Sequence, residues 1–286
     1  MGTMHLKRAR KEKNDEFYTM YEDIEKELSH YKPYFKGKKV YLPCDNPEIS
    51  NFYKFFVDHF ADYGIKELVC TWLGGNEFYK VTMHNGKLFN EYGYGFNSGD
   101  FMENGHFFKR ADIIVTNPPF SLFRAFIDTV MKHKKDCLVM GPITAVTYNP
   151  IFPYIQKRQL DIGYNHPNTF CDNNNGKPDR GKMAHLYNVV WFTTLPVKKE
   201  PVMYSGKGVW QMYDSHNAIE VNRSADMPRD YYGFIGVPVS ALQWDLSDFD
   251  FIGVNNPWSC GTTILNGKYT FKRVFIRRKR QFLENS

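Results

Sequence analysis

Several things are missing from this chain, and each absence narrows what it can be. It has no run of about 18 apolar residues, and its amino end is basic and polar with no apolar core segment. Neither a membrane-spanning helix nor a secretory leader is therefore expected. The five cysteines, Cys44, Cys70, Cys137, Cys171 and Cys260, are scattered, odd in number and without a Cys-x-x-Cys pair. That pattern excludes a disulfide frame and a zinc knuckle and reads as reduced thiols, with the cytoplasm as the expected compartment. No repeat and no heptad is visible.

With 286 residues, 42% hydrophobic and 24% charged, the chain is long enough for one large domain or two small ones around a sizeable core. Aromatics are abundant at 17%, which suits stacking on bases and an aromatic core equally. The formal net charge is +6 and the isoelectric point about 8.9, a balance that favours a polyanionic partner.

The most informative stretch is Ala111–Phe120, ADIIVTNPPF. Asp112 to Thr116 is apolar and β-branched and predicts a buried strand. At Asn117-Pro118-Pro119-Phe120 two prolines remove two backbone donors and fix φ, so no regular element continues. A rigid corner at a strand's carboxyl end stands where open α/β sheets bind ligands. The corner suits methylation of an exocyclic amine, whose lone pair is conjugated into its ring. Acceptors at the Asn117 amide oxygen and the Pro118 carbonyl would favour a pyramidal nitrogen, and Phe120 would stack on the base. An ordinary Asn-Pro turn after a strand is the plainer alternative.

Along the chain, Met1–Lys13 carries five basic residues and reads as a solvated arm or as one lying along phosphates. Asn14 or Asp15 is expected to cap a helix with Tyr21, Ile24, Leu28 and Tyr31 on its apolar face. Phe17 and Tyr18 are core residues or an aromatic lip over a small-molecule pocket. Lys38–Asp45 reads as a first strand, Pro47 and Glu48 as a helix start, and Glu67–Trp72 as a second strand: a βαβ unit and hence a parallel sheet. Here two usual signals are absent. Pro43-Cys44-Asp45-Asn46-Pro47 stands in place of a glycine-rich loop, and Thr71-Trp72 in place of the acid that commonly holds a ribose.

Glu77–Glu91 predicts a hairpin turning at His84-Asn85-Gly86. Asp100 reads either as a contact to an adenine amine or as a helix cap. Helices are expected after Phe120 and at Ile151–Gln159, with strands at Cys137–Met140 and Tyr187–Thr194. The segment 165–182 is polar, basic and long for a connection: a loop that orders on DNA, or a disordered insertion. Tyr269–Arg280 alternates and then turns strongly basic. It suits an edge strand or, as favoured here, a phosphate-contacting strand with Arg277 and Arg278.

Laid end to end, NDEFYT, ADIIVTNPPFSLF, NVVWFTTL and the closing KRVFIRRK make the chain resemble the EcoRI-type adenine-specific DNA methyltransferases over most of its length. The resemblance implies an α/β fold: a Rossmann-like, seven-stranded class I methyltransferase sheet with inserted loops and a carboxyl-terminal DNA-recognition region. It implies S-adenosylmethionine as cofactor, no metal, and a flipped-out adenine of double-stranded DNA as acceptor. By position, Phe17, Tyr18 and Thr19 look like the lining of the cofactor's methionine end, and Asp45 like the first-strand motif. Asp100 looks like the adenine contact, and Asn117, Pro118, Pro119 and Phe120 like the catalytic loop, Asn117 also touching cofactor. Trp191 or Phe192 is similar to the aromatic packing near the target base, and Lys182, Arg277 and Arg278 are expected on DNA.

The expected organisation is an arm and cofactor-lining helix in 1–36, a catalytic domain in 37–196 with the basic loop at 165–182, and a target-recognition region in 197–286. The enzyme is expected to be bacterial or phage-encoded and a monomer on DNA. A cognate restriction endonuclease acting on the same site fits the same resemblance.

Three rival readings stand beside it. Pro43-Cys44 is the dipeptide whose thiolate attacks cytosine in carbon-5 methylation, but NPPF would then have no role. The NPPF motif is shared with methyltransferases of RNA and of protein amides. A decayed, non-catalytic DNA-binding protein would account for the irregular Asp45 loop.

Overall fold

Short β-branched runs separated by aromatic-rich helical segments dictate a layered α/β arrangement, with strands buried between helices. The computed structural model describes residues 17–71, 77–94, 105–172, 182–186, 188–205, 210–255 and 263–279. Contacts divide the chain into two units. The first comprises 1–142 and 163–196, the second 143–162 and 197–286. The stretch 143–162 thus belongs with the carboxyl-terminal unit, although in sequence it interrupts the first.

In the first unit the strands are β1 (Phe17–Thr19), β2 (Lys39–Leu42), β3 (Glu67–Cys70), β4 (Glu77–His84), β5 (Lys87–Tyr94), β6 (Ile113–Thr116), β7 (Asp136–Pro142), β8 (Thr169–Asp172), β9 (Lys182–His185) and β10 (Val189–Thr193). The helices are α1 (Tyr21–Leu28), α2 (Asn51–Asp58), α3 (His106–Arg110) and α4 (Phe123–Lys132). Strands of this unit are hydrogen-bonded in the order β5-β4-β3-β2-β6-β7-β10, a large mixed sheet. β3, β2, β6 and β7 run parallel, while β4 and β5 at one side and β10 against β7 run antiparallel. From β2 the chain crosses to β3 on one side, and it later returns on the other side with β6. The order therefore reverses between β2 and β6, which opens a crevice at their carboxyl ends.

The hairpin β4–β5 turns at Asn85-Gly86, both with positive φ (49° and 74°), as predicted. The helix predicted to start at Asn14 or Asp15 begins instead at Tyr21. Met20 is its N-cap, without a side-chain bond, and Asn14 and Asp15 lie outside the described residues. Phe17–Thr19 is extended because it pairs antiparallel with β8, whose other edge pairs with β9. The segment read from sequence as a polar loop at 165–182 therefore contains a strand, Thr169–Asp172, and its last residue, Lys182, opens another. Alternation could not show this, because the partner strand lies some 150 residues away in sequence.

The predicted apolar face of α1 is buried through Ile24, Leu28 and, beyond the helix, Tyr31. Phe52, Phe55 and Phe56 of α2 and Phe123, Phe126, Ile127 and Val130 of α4 are likewise buried. Each such ring contributes roughly 1.5–3 kcal/mol on burial. Phe123 lies so close over Gly141 that a Cβ there would meet the ring at 2.2 Å, so β7 admits no side chain at that point. Phe123→Ala would cost about 3–5 kcal/mol.

The second unit is built on a four-stranded sheet: β11 (Ala218–Glu220), β12 (Phe234–Pro238), β14 (Arg273–Arg278) and β13 (Phe249–Val254), in that spatial order. The basic strand expected at the sheet's edge or on phosphates is thus interior, flanked on both sides. Its first four residues are buried. Arg273 is 8% exposed and donates to Glu220, Nη2 to Oε1 at 2.6 Å and Nε to Oε2 at 3.4 Å.

Candidate active site

The site grows from the ends of β2 and β6. Thr116, the last residue of β6, is fully buried and donates its hydroxyl to Asp45 Oδ2 at 2.9 Å. Asp45 Oδ1 accepts from Ser50 Oγ at 2.8 Å. Ser50 is also the N-cap of α2, its Oγ accepting from the N–H groups of Phe52 and Tyr53 at 3.1 and 3.3 Å. One carboxylate thus ties the tip of β2, the start of α2 and the end of β6. Beneath it Asp45 N–H donates to Thr71 O, and the Cys70 thiol donates to Asp45 O. Burial first, then the Asp45 charge, pushes the Cys70 thiol well above its ordinary value.

Asn117 follows directly. Its Nδ2 donates to Thr19 Oγ1 at 3.4 Å, and that hydroxyl donates to Met140 Sδ at 3.2 Å. Thr19 O accepts from Asn51 Nδ2 at 2.8 Å, which fastens β1 to the start of α2. Pro118 and Pro119 are buried, and Leu122 N–H closes the corner on Pro119 O at 2.9 Å. The result is a cavity lined by Tyr18, Thr19, Cys44, Asp45, Ser50, Asn51, Phe52, Asn117 and Pro119, enclosing about 400 Å³ of empty space including its open mouth.

Residues named from sequence at three distant places, Tyr18-Thr19, Asp45 and Asn117-Pro119, are therefore brought to one cavity. Ser50, Asn51, Phe52 and Thr116 were missed. A serine two positions before a Phe52/Phe55/Phe56 stripe is a legible N-cap signal, and it displaces the helix start expected at Pro47 and Glu48. No local signal could have paired Asn51 with Thr19.

Other residues named from sequence do not line this cavity. Trp191 and Phe192 are fully buried, Trp191 edge-on to Phe52 (centroids 5.8 Å) and Phe192 against Phe123 (5.0 Å). They are core residues because β10 is covered on both faces, so neither offers a surface to a base. Phe120, at 8% exposed, is also turned inward. Arg278, expected on DNA, lies over the rings of Tyr204 and Phe249 at 4.9 and 5.0 Å and is held within its own unit. Arg277 lies over Phe234 at 5.5 Å. Thr71, where a ribose-binding acid was looked for, is fully buried and donates to Pro43 O. Asp100, Trp72 and the side chains of Phe17 and Lys182 lie outside the described residues.

No helix among the described residues is long and apolar enough to cross a membrane. No solved structure matches the chain. Its sequence is 31% identical to the Type II methyltransferase M.EcoRI of Escherichia coli, over 96% of both chains. It is 33% identical to M.MpnI of Mycoplasma pneumoniae, over 93% of this chain and 90% of that one, and 30% identical to M.MgeORF184P of Mycoplasma genitalium, over 96% and 99%. The family described as adenine-specific methyltransferase EcoRI matches residues 5–93 and 94–284. With that match over nearly its whole length, and an Asn-Pro-Pro-Phe corner set in the crevice of a mixed α/β sheet, the chain belongs to the EcoRI family of adenine-specific methyltransferases.

Proposed function

We propose that this enzyme transfers a methyl group from S-adenosylmethionine to the 6-amino group of an adenine extruded from duplex DNA, at a specific site. The observation that carries the reading is the joining of Asn117 to Thr19 and of Thr116 to Asp45 at the single crevice where the strand order reverses. We read the mixed sheet as a Rossmann-like, seven-stranded class I methyltransferase sheet.

The lining suits such a donor. A carboxylate, hydroxyls and amides from Thr19, Asp45, Ser50, Asn51 and Asn117 stand beside the apolar Phe52 and Pro119. That mixture can hold a ligand with a charged polar end and a methyl-bearing sulfonium. When bound, the cofactor supplies an electrophilic methyl group. The chain's own part is orientation and hydrogen-bond acceptance. In this reading Asn117 Oδ1 and the Pro118 carbonyl accept from the adenine amine and localise its lone pair. Asp45 holds Thr116, and through it Asn117, in position. Transfer is direct, with no covalent enzyme intermediate. Since Phe120 is buried, its stacking on the base requires a rotation that accompanies substrate entry.

The second unit, with 197–286, serves target recognition, and the amino-terminal segment 1–36 lines the cofactor and lies along phosphates. The enzyme acts as a monomer on DNA in the cytoplasm of a bacterium or an infected cell, with or without an endonuclease of the same specificity. Tritiated S-adenosylmethionine offered with duplex DNA, RNA and protein tests this: label should enter DNA as N6-methyladenine. Label in RNA or protein with none in DNA overturns it. Single-molecule sequencing of DNA from expressing cells then identifies the site.

A further inference from the structure

Two of the most solvent-exposed aromatic rings among the described residues stand close together in the second unit. Tyr269 is 78% exposed and Phe271 is 56% exposed. Tyr269 ends, and Phe271 follows, a tight hairpin in which Ile264–Leu265 pairs with Lys268–Tyr269 across Asn266-Gly267, both with positive φ (51° and 72°). Rings left in water forgo the stabilisation that burial would give them, and a two-stranded hairpin is marginal by itself.

This one is braced at every point. Asp214 N–H donates to Ile264 O at 2.8 Å and Ile264 N–H to Ser215 Oγ at 2.9 Å. The Asp214 carboxylate accepts from Gly267 N–H at 2.7 Å. At the base, Thr270 Oγ1 bonds Thr263 Oγ1 at 2.6 Å, and the buried Asn255 amide bonds Thr263 and the Arg273 N–H. Arg273 is itself fixed by Glu220. The scaffold thus holds two exposed rings rigidly outward.

The charge around the rings selects the partner. Within the segment from Thr263 to Lys272 there are two lysines, Lys268 and Lys272, flanking the rings, and no acidic residue; Asp214, from outside the segment, lies at the turn and accepts from Gly267 N–H. Aromatic rings interleaved with lysines on an extended segment match nucleic acid, whose bases offer stacking faces and whose phosphates offer charge. We propose that this hairpin is a duplex-DNA contact of the enzyme. Tyr269 and Phe271 lie against nucleobase faces exposed where the duplex opens, and Lys268 and Lys272 lie on the flanking phosphates. The proposal rests on the reading that duplex DNA is the substrate. It also moves the DNA-contacting role within the segment read from sequence as Tyr269–Arg280, from Arg278, which lies over Tyr204 and Phe249, to the residues at its start.

The test compares the full-length wild type with Tyr269→Ala/Phe271→Ala, Lys268→Ala/Lys272→Ala and Tyr269→Trp. Each is measured for binding to linear plasmid DNA across a salt series, for S-adenosylhomocysteine binding by calorimetry and for thermal melting. The aromatic double variant should bind DNA about tenfold or more weakly. The lysine double variant should reduce the slope of log affinity against log salt by about two. Tyr269→Trp should keep wild-type affinity and show fluorescence quenching on DNA beyond that of the five native tryptophans measured in the wild type. Cofactor-product binding and melting should not change in any of them. If the wild type neither binds nor methylates duplex DNA, the proposed function fails and takes this contact with it. If the wild type does both while the aromatic double variant matches it in affinity and salt slope, the hairpin assignment alone is overturned. A changed self-association with unchanged DNA binding would likewise overturn it.

Discussion

Thr116 Oγ1 donates to Asp45 Oδ2 at 2.9 Å, across 71 residues of sequence, and Thr116 immediately precedes Asn117. The bond joins the ends of two neighbouring parallel strands at the point where the sheet's order reverses. In the proposed mechanism Asp45 is a positioning residue for the Asn117 corner, since both carboxylate oxygens accept from protein hydroxyls.

Thr116→Val removes that hydroxyl while keeping the side chain's shape. It leaves Asp45 Oδ2 short of a donor in a buried place, at a cost of about 1–3 kcal/mol. Loosening the corner should lower kcat by roughly tenfold or more, with little change in KM for DNA. Steady-state kinetics and thermal melting check both effects. An unchanged kcat would remove the positioning role.

Asn117→Ala deletes the amide proposed to accept from the adenine amine. Methylation should fall by a factor of roughly a hundred or more. DNA binding should be retained, since the side chain lies in the cavity and not on the duplex-facing hairpin. Gel-shift and methyl-transfer assays on the same preparation decide this, and undiminished transfer would refute the assignment.

The cysteines should separate by reactivity. Burial pushes the Cys137 thiol up to about 12 and holds Cys70 well above its ordinary value, so neither forms thiolate near pH 8. Cys44 is partly exposed and lines the cavity. Peptide-level mass spectrometry after iodoacetamide treatment should find Cys44 labelled in the native protein and Cys70 and Cys137 labelled only after denaturation. S-adenosylhomocysteine should slow labelling of Cys44. Cys44→Ser should leave methylation largely intact, whereas lost turnover with a trapped DNA adduct would favour carbon-5 chemistry.

Glu220 provides a pH signature. Burial alone raises its carboxyl, but the hydrogen bonds and charge of Arg273 outweigh that and hold it below the ordinary value of 4.5. A depressed carboxylate contributes stability that is fully present above its unfolded value and is lost as pH falls through its folded one. Glu220→Gln should therefore lower stability at pH 7 by about 3 kcal/mol, because Arg273 is left buried without its partner. The difference from wild type should shrink as pH falls below 4.5, and melting curves from pH 7 to pH 3 follow it. A constant difference would rule out the ion pair as its source.

Much of the catalytic unit could be read locally. The β-branched run before Asn117, the Asn85-Gly86 turn and the phenylalanine spacing of α2 and α4 each carry their own periodicity or turn chemistry. The sequence also marked Tyr18, Thr19, Asp45 and Asn117 as a set. Three side chains mark one limit of that reading, because burial on a strand depends on what covers each face. Trp191, Phe192 and Arg278 bear side chains suited to a ligand surface, yet the first two are fully buried and Arg278 is half-buried over Tyr204 and Phe249.

The order of residues alone determined the rigid Asn-Pro-Pro-Phe corner, since proline geometry is fixed by its own ring. It also determined the βαβ start and the polyanion-seeking charge. Only tertiary structure could decide that Asn117 meets Thr19 and Thr116 meets Asp45, that the basic carboxyl-terminal strand lies inside its sheet, and that Tyr269 and Phe271 stay in water. Those outcomes turn on pairings between segments up to about 150 residues apart, and such pairings are selected by shape and hydrogen-bond partners that no local pattern encodes.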